Sequence, residues 1–119
     1  MRRCVRILAI SFVSFFAAQA QAELSFEGKV VTLIVAYPPG GGVDASARLI
    51  APYLSKLLPG KPDIIVQNRP GADGMNAANV FAHQVRPDGL TFIAGSGGIT
   101  SPVNYKGADS KYDPTQFSY

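Results

Sequence analysis

The chain has 119 residues with 11 Lys and Arg against 8 Asp and Glu, a formal charge of +3. Arg2, Arg3 and Arg6 all stand ahead of one apolar stretch, so the 97 residues from Glu23 onward carry eight basic and eight acidic side chains. A neutral chain with no Lys/Arg run has no electrostatic footprint for DNA or RNA, which argues against a nucleic-acid partner.

The leading segment comes first in chain order. Residues 7–18 are apolar apart from Ser11 and Ser14, and Ala20-Gln21-Ala22 follows. Basic residues, an apolar core and small residues at a cleavage site are the pattern of a secretory signal, with cleavage expected before Glu23. The apolar run is shorter than the ~20 residues a membrane-spanning helix needs, so no stable anchor is expected after cleavage. Cys4, the single cysteine, lies ahead of the apolar core and cannot be a lipoprotein's lipidated cysteine. Residues 23–119 therefore have no disulfide, no thiol nucleophile and no cysteine metal site.

Three strand and loop units follow. Val30-Val31-Thr32-Leu33-Ile34-Val35-Ala36 is β-branched and almost wholly apolar without alternation, as expected of a parallel strand covered on both faces. After the loop Tyr37-Pro38-Pro39-Gly40-Gly41-Gly42-Val43, Asp44 is placed to cap a helix, a contribution of about 1 kcal/mol. The apolar positions of that helix, Ala47, Ile50, Leu54, Leu57 and Leu58, follow helical spacing, and Pro59-Gly60 ends it. Pro52 inside it removes a backbone hydrogen bond, and a bend over residues 48–52 is expected. Residues 63–67 read as a second strand, residues 68–74 as its loop and residues 75–84 as a second helix. The turn Arg86-Pro87-Asp88-Gly89 opens a third unit. Its strand is residues 90–94 and its loop is Gly95-Ser96-Gly97-Gly98. Beyond Thr100 no period is apparent.

Alternating strands and helices imply an α/β layered lobe on a parallel sheet. Three strands leave two open sheet edges, a liability that points to a lobe belonging to something longer. In such sheets ligands bind beyond the carboxyl ends of the strands, beside the helix starts. Eight of the 12 glycines fall in the three loops at that edge (Gly40, Gly41, Gly42, Gly71, Gly74, Gly95, Gly97 and Gly98). Glycine lets backbone approach a ligand closely, and N–H groups at a helix start favour an anion such as a carboxylate or phosphate. One glycine loop is explained by turn geometry alone; three on one edge favour a site.

Other chemistries find little here. The first loop is neither G-x-x-x-x-G-K-[ST] nor G-x-G-x-x-G, so no nucleotide cofactor is indicated. His83 is the sole histidine, no carboxylate pair is spaced on one helix face, and no metal is expected. Gly95-Ser96-Gly97 lacks the spacing of a nucleophile elbow, leaving Ser96 as a hydrogen-bonding group rather than a nucleophile. Arg69, ahead of Pro70, either meets a ligand carboxylate or braces its own loop; Arg48 reads as a solvated helix residue. No catalytic residue is assigned, and the chain reads as a non-enzyme. The alternative is part of a secreted α/β hydrolase or transferase.

Three spaced motifs carry a resemblance. The segment from Lys29 to Asp44 with Ala47-Arg48-Leu49-Ile50, the loop Val66-Gln67-Asn68-Arg69-Pro70-Gly71-Ala72-Asp73-Gly74, and the turn Arg86-Pro87-Asp88-Gly89-Leu90-Thr91 together resemble the N-terminal part of tripartite tricarboxylate transporter substrate-binding receptors, the Bug family. Lys111-Tyr112-Asp113-Pro114 with Phe117 resembles the segment leading toward that family's second lobe. The resemblance implies a periplasmic receptor of the two-lobed Venus flytrap type, incomplete here because the second lobe is absent. Such a receptor closes on a small organic di- or tricarboxylate and delivers it to a membrane permease. By motif it assigns Tyr37, Gly40, Gly41 and Asp44 to a first ligand loop and Ala72, Asp73, Gly74 and Met75 to a second. Ser96 and Gly97 are assigned to a third. Two positions depart from the family pattern: Pro52, in a helix usually free of proline, and Asp73, where glycine is more common.

Overall fold

The computed structural model describes residues 25–117, and the expected signal segment, residues 1–22, lies outside them. Three strands, β1 (Val30–Val35), β2 (Asp63–Asn68) and β3 (Thr91–Ala94), form a parallel sheet in the order β2-β1-β3. Two helices connect them, α1 (Gly42–Leu57) and α2 (Met75–Gln84), and a short α3 (Pro102–Tyr105) follows. This is the parallel α/β lobe expected from the alternation of the sequence.

β1 lies in the middle and is buried on both faces. Leu33 and Val35 face α1 and pack with Val43, Ala47, Ile64 and Val66. Ile34, with Ala36 just past the strand end, faces α2 and packs with Ala77, Ala78, Ile99 and Tyr112. That double burial explains why the segment is apolar at consecutive positions, where a half-exposed strand would alternate.

The helices cover the sheet diagonally. α1 lies over β1 and β2, and α2 over β1 and β3. The register places Ile65 beside Thr32, on the α2 side of β2, where it is 51% exposed. Phe92 stands beside Leu33, on the α1 side of β3, and is 40% exposed.

Three expectations are corrected. Ala47 and Ala51 form the buried stripe of α1, with Leu54 and Leu58 half-buried, whereas Ile50 is 49% and Leu57 79% exposed. Spacing identified a helix but not the stripe facing the sheet, because small alanines let α1 approach closely and turn its larger apolar residues outward. Asp44 is not the N-cap: Gly41 is, without a side-chain cap, and Asp44 lies within the first turn. Beyond Thr100 the chain is more ordered than its lack of period suggested. The buried Tyr112 donates its hydroxyl hydrogen to the Ile99 carbonyl at 2.8 Å and stacks on Phe117. Phe117 in turn meets Phe81 of α2 edge-on at 5.2 Å. Asn79 of α2 accepts from the Lys111 N–H at 2.8 Å and donates to the Asp109 carbonyl, so residues 109–117 strap α2 onto the lobe. Pro52 lies on the exposed surface of α1, and the helix continues through it.

The burial pattern separates core from surface apolar positions. Ile34→Ala should lower the unfolding free energy by about 2–4 kcal/mol through lost burial and the cavity left behind. Ile50→Ser should change it by less than about 0.5 kcal/mol. Urea unfolding followed by far-UV circular dichroism measures both, and equal effects would contradict the orientation of α1.

Candidate functional site

Because all three strands run in parallel, their carboxyl ends lie on one edge of the sheet, and the loops starting at Ala36, Arg69 and Gly95 emerge together there. Side-chain hydrogen bonds join these loops in two networks.

The first centres on Asp44. Its carboxylate accepts from the Gly40 N–H at 2.9 Å, from Arg48 Nε at 3.0 and 3.1 Å, and from Asn68 Nδ2 at 2.8 Å. Asn68 also donates to the Tyr37 carbonyl and accepts from Arg48 Nη2, both at 3.0 Å. The buried carboxylate therefore folds the first glycine loop back onto α1 and ties it to the end of β2. These donors, Arg48 foremost, hold its pKa down at about 2, against an ordinary 3.8. Arg48 is exposed on α1 as expected, and its guanidinium is in addition an ion-pair partner of Asp44.

The second network joins all three loops through Tyr37, Asp73 and Ser96. The Tyr37 hydroxyl donates to Asp73 Oδ1 at 3.0 Å and makes a short hydrogen bond with Ser96 Oγ. Asp73 Oδ2 accepts from Asn104 Nδ2 at 3.0 Å, and the same nitrogen donates to the Gly98 carbonyl at 2.9 Å. Ser96 Oγ also accepts from the Gly98 N–H at 3.2 Å. Gly98 is necessary to this geometry, since a Cβ there would stand 2.5 Å from Asp73 Oδ2. Ala72 and Asp73 both adopt left-handed backbone, at φ 49 and φ 50, which L-residues seldom take. The Asp73 charge, after burial, is the second influence raising the Tyr112 pKa above its ordinary value.

The remaining assigned residues fall in two groups. Gly40, Gly41, Ala72 and Gly97 lie on the exposed surface of the edge, while Gly74 and Met75 turn inward. Gly74 is buried at φ 91 against Ile99 and Ala36, and Met75 packs on the core beneath α2. Arg69 braces its surroundings, with its N–H on the Val35 carbonyl at 2.7 Å and its guanidinium on Gln67 at 3.4 Å. Asn68 and Asn104 escaped sequence reasoning because a lone asparagine carries no spacing signal. His83 lies at the end of α2 bonded to the Lys111 carbonyl, remote in the fold from Ser96. Among the described residues no group of three His, Cys, Asp or Glu side chains is gathered to hold a metal, and no helix is long and apolar enough to cross a membrane. One cleft of about 430 Å³ runs between α1 and β2 from Arg48, and another of about 1000 Å³ runs along β3. The three loops form one open wall.

No family model matches the chain. A UPF0065 protein of Bordetella pertussis is 33% identical over 94% of this chain, and Protein BugT of the same organism is 31% identical over 81%. Among solved structures, MatC from Rhodopseudomonas palustris, determined with bound malate, superposes with a TM-score of 0.62 at 34% identity over 71% of this chain. The chain spans 34%, 28% and 28% of the lengths of these three proteins.

The Asp44 network has a pH signature. A carboxyl group at about 2 when folded and 3.8 in its ordinary state contributes stability that is fully present above about pH 4 and is lost as the pH falls from there toward 2. Asp44→Asn should flatten this part of the acid limb of a plot of Tm against pH between 2 and 5. Asp113, whose pKa is also lowered, through hydrogen bonds from Thr115, sustains the remainder.

Proposed function

We propose that this chain, which belongs to the Bug family of substrate-binding receptors, forms the first ligand wall of a periplasmic receptor that captures a small organic carboxylate for a tripartite tricarboxylate-type permease. The observation that carries this reading is the convergence of three glycine-bearing loops at the carboxyl edge of one parallel sheet, tied together through Tyr37, Asp73 and Ser96. The likeness to MatC, solved with malate, supports a carboxylate as the ligand class.

The physical basis is backbone recognition. The Ala45 N–H makes the first intrahelical bond of α1, to the Gly41 carbonyl, so the N–H groups of Gly42, Val43 and Asp44 precede it and point out of the helix start. A carboxylate placed there meets aligned donors and the positive end of a 16-residue helix. No cationic side chain is needed, and Arg48 is already committed to Asp44 and Asn68.

The reading is of binding without turnover. Ser96 is held by Tyr37 and Gly98 and has no basic partner among the described residues. A secreted hydrolase or transferase would need such a partner, and no observation favours one. In this reading residues 1–22 are the export signal and residues 23–119 belong to the first lobe, the second being supplied by the remaining length typical of the relatives.

Calorimetric titration of the purified protein with succinate, malate, glutarate, citrate and the corresponding amino acids tests the proposal. Binding within the panel is expected, and no binding to any member would overturn it. Tyr37→Phe, which removes the two hydrogen bonds by which the hydroxyl links the three loops, should weaken the affinity about tenfold, equivalent to about 1.4 kcal/mol.

A further inference from the structure

We propose that the ligand is a zwitterionic amino carboxylate whose ammonium group is taken by Asp73, an assignment that rests on the receptor reading above and makes it more specific. Asp73 is an exposed carboxylate in the middle of the wall, yet everything holding it is neutral. The Tyr37 hydroxyl donates to Oδ1 and the Asn104 amide to Oδ2, both at 3.0 Å, and the bare Cα of Gly98 lies against the same oxygen. Among the described residues no Lys or Arg is paired with it. Arg48 is spent on Asp44 and Asn68, and Arg69 reaches Gln67.

The contrast with Asp44 is instructive. Both aspartates stand at the same edge, Asp44 in the first turn of α1 and Asp73 in the second loop, but Asp44 is buried, ion-paired and surrounded by donors, whereas Asp73 is exposed and keeps open lone pairs. An ionised carboxylate offers about four acceptor positions, of which two are used. The backbone also presents this group at a conformational cost: φ 50 and ψ 38 lie in the left-handed region, which Asp tolerates better than most residues.

The wall is thus bipolar. The start of α1 presents N–H donors suited to a carboxylate, and Asp73 presents an acceptor of full negative charge. A ligand bearing only carboxylates would satisfy the first pole and bring like charge toward the second. An amino carboxylate satisfies both, because an ammonium group supplies three donors and the opposite charge.

Calorimetry with matched pairs tests this on the purified protein: aspartate against succinate, glutamate against glutarate, and alanine against propionate. In at least one pair the amino member should bind at least tenfold more tightly. Asp73→Asn keeps the size of the side chain, its tolerance of left-handed backbone and a carbonyl oxygen for Tyr37, and should erase that preference by weakening the amino member alone. Asp73→Gly, which adopts φ 50 freely, should do the same, so a folding defect in one variant leaves the other to decide. The assignment is overturned if in no pair the amino member binds more tightly than its carboxylate counterpart, or if both variants weaken paired ligands equally. Carboxylates binding while their amino counterparts do not would sink the Asp73 assignment and leave the receptor reading standing. Binding of neither kind would sink both.

Discussion

The central position of β1 is the constraint on which the rest of the lobe depends. It is hydrogen-bonded along both edges and covered on both faces, so β2 and β3 are registered against the same strand and run in the same direction. A parallel sheet sends each chain segment out at its carboxyl edge and back through a helix. The loops rich in glycine have no freedom to scatter: they meet because Leu33, Ile34 and Val35 are buried between α1 and α2.

On that frame two aspartates do different work with similar chemistry. Asp44 closes the first loop onto α1, and its charge is offset by Arg48 and by amide donors. Asp73 links the second loop to the first and third through Tyr37 and Asn104, with its charge left uncompensated. Glycine matters most where these groups approach backbone. Gly98 admits the Asp73 carboxylate, and Gly74, at positive φ, admits Ile99 beneath the second loop. The open wall that results has backbone donors at the start of α1 and a carboxylate acceptor at Asp73.

The strands and helices were legible in local pattern. The β-branched run at residues 30–36 announced a strand with two covered faces, and the residues flanking Pro59-Gly60 and Arg86-Pro87-Asp88-Gly89 announced the breaks. The inward stripe of α1 was not legible, because Ala47 and Ala51 attract less notice than Ile50 and Leu57, and close packing against a sheet favours the smaller side chains. Residues 109–117 were missed for a related reason. Tyr112 stacks on Phe117 and bonds the Ile99 carbonyl, and Phe117 meets Phe81, arrangements that leave no periodic trace.

The sequence by itself determined the class of fold, the gathering of glycine-bearing loops on one edge of the sheet and the neutrality of the chain beyond residue 22, since these follow from hydrophobic period, glycine placement and charge arithmetic. Tertiary structure decided which polar groups are spent and which remain available. Asp44 and Asp73 both belong to glycine-bearing segments, and no local pattern shows which of them is buried and ion-paired. The difference arises from partners distant in sequence: Asn68 lies 24 residues from Asp44, and Asn104 lies 31 residues from Asp73. Only the folded sheet brings those partners within hydrogen-bonding distance, leaving one carboxylate buried and ion-paired and the other exposed without a cationic partner among the described residues.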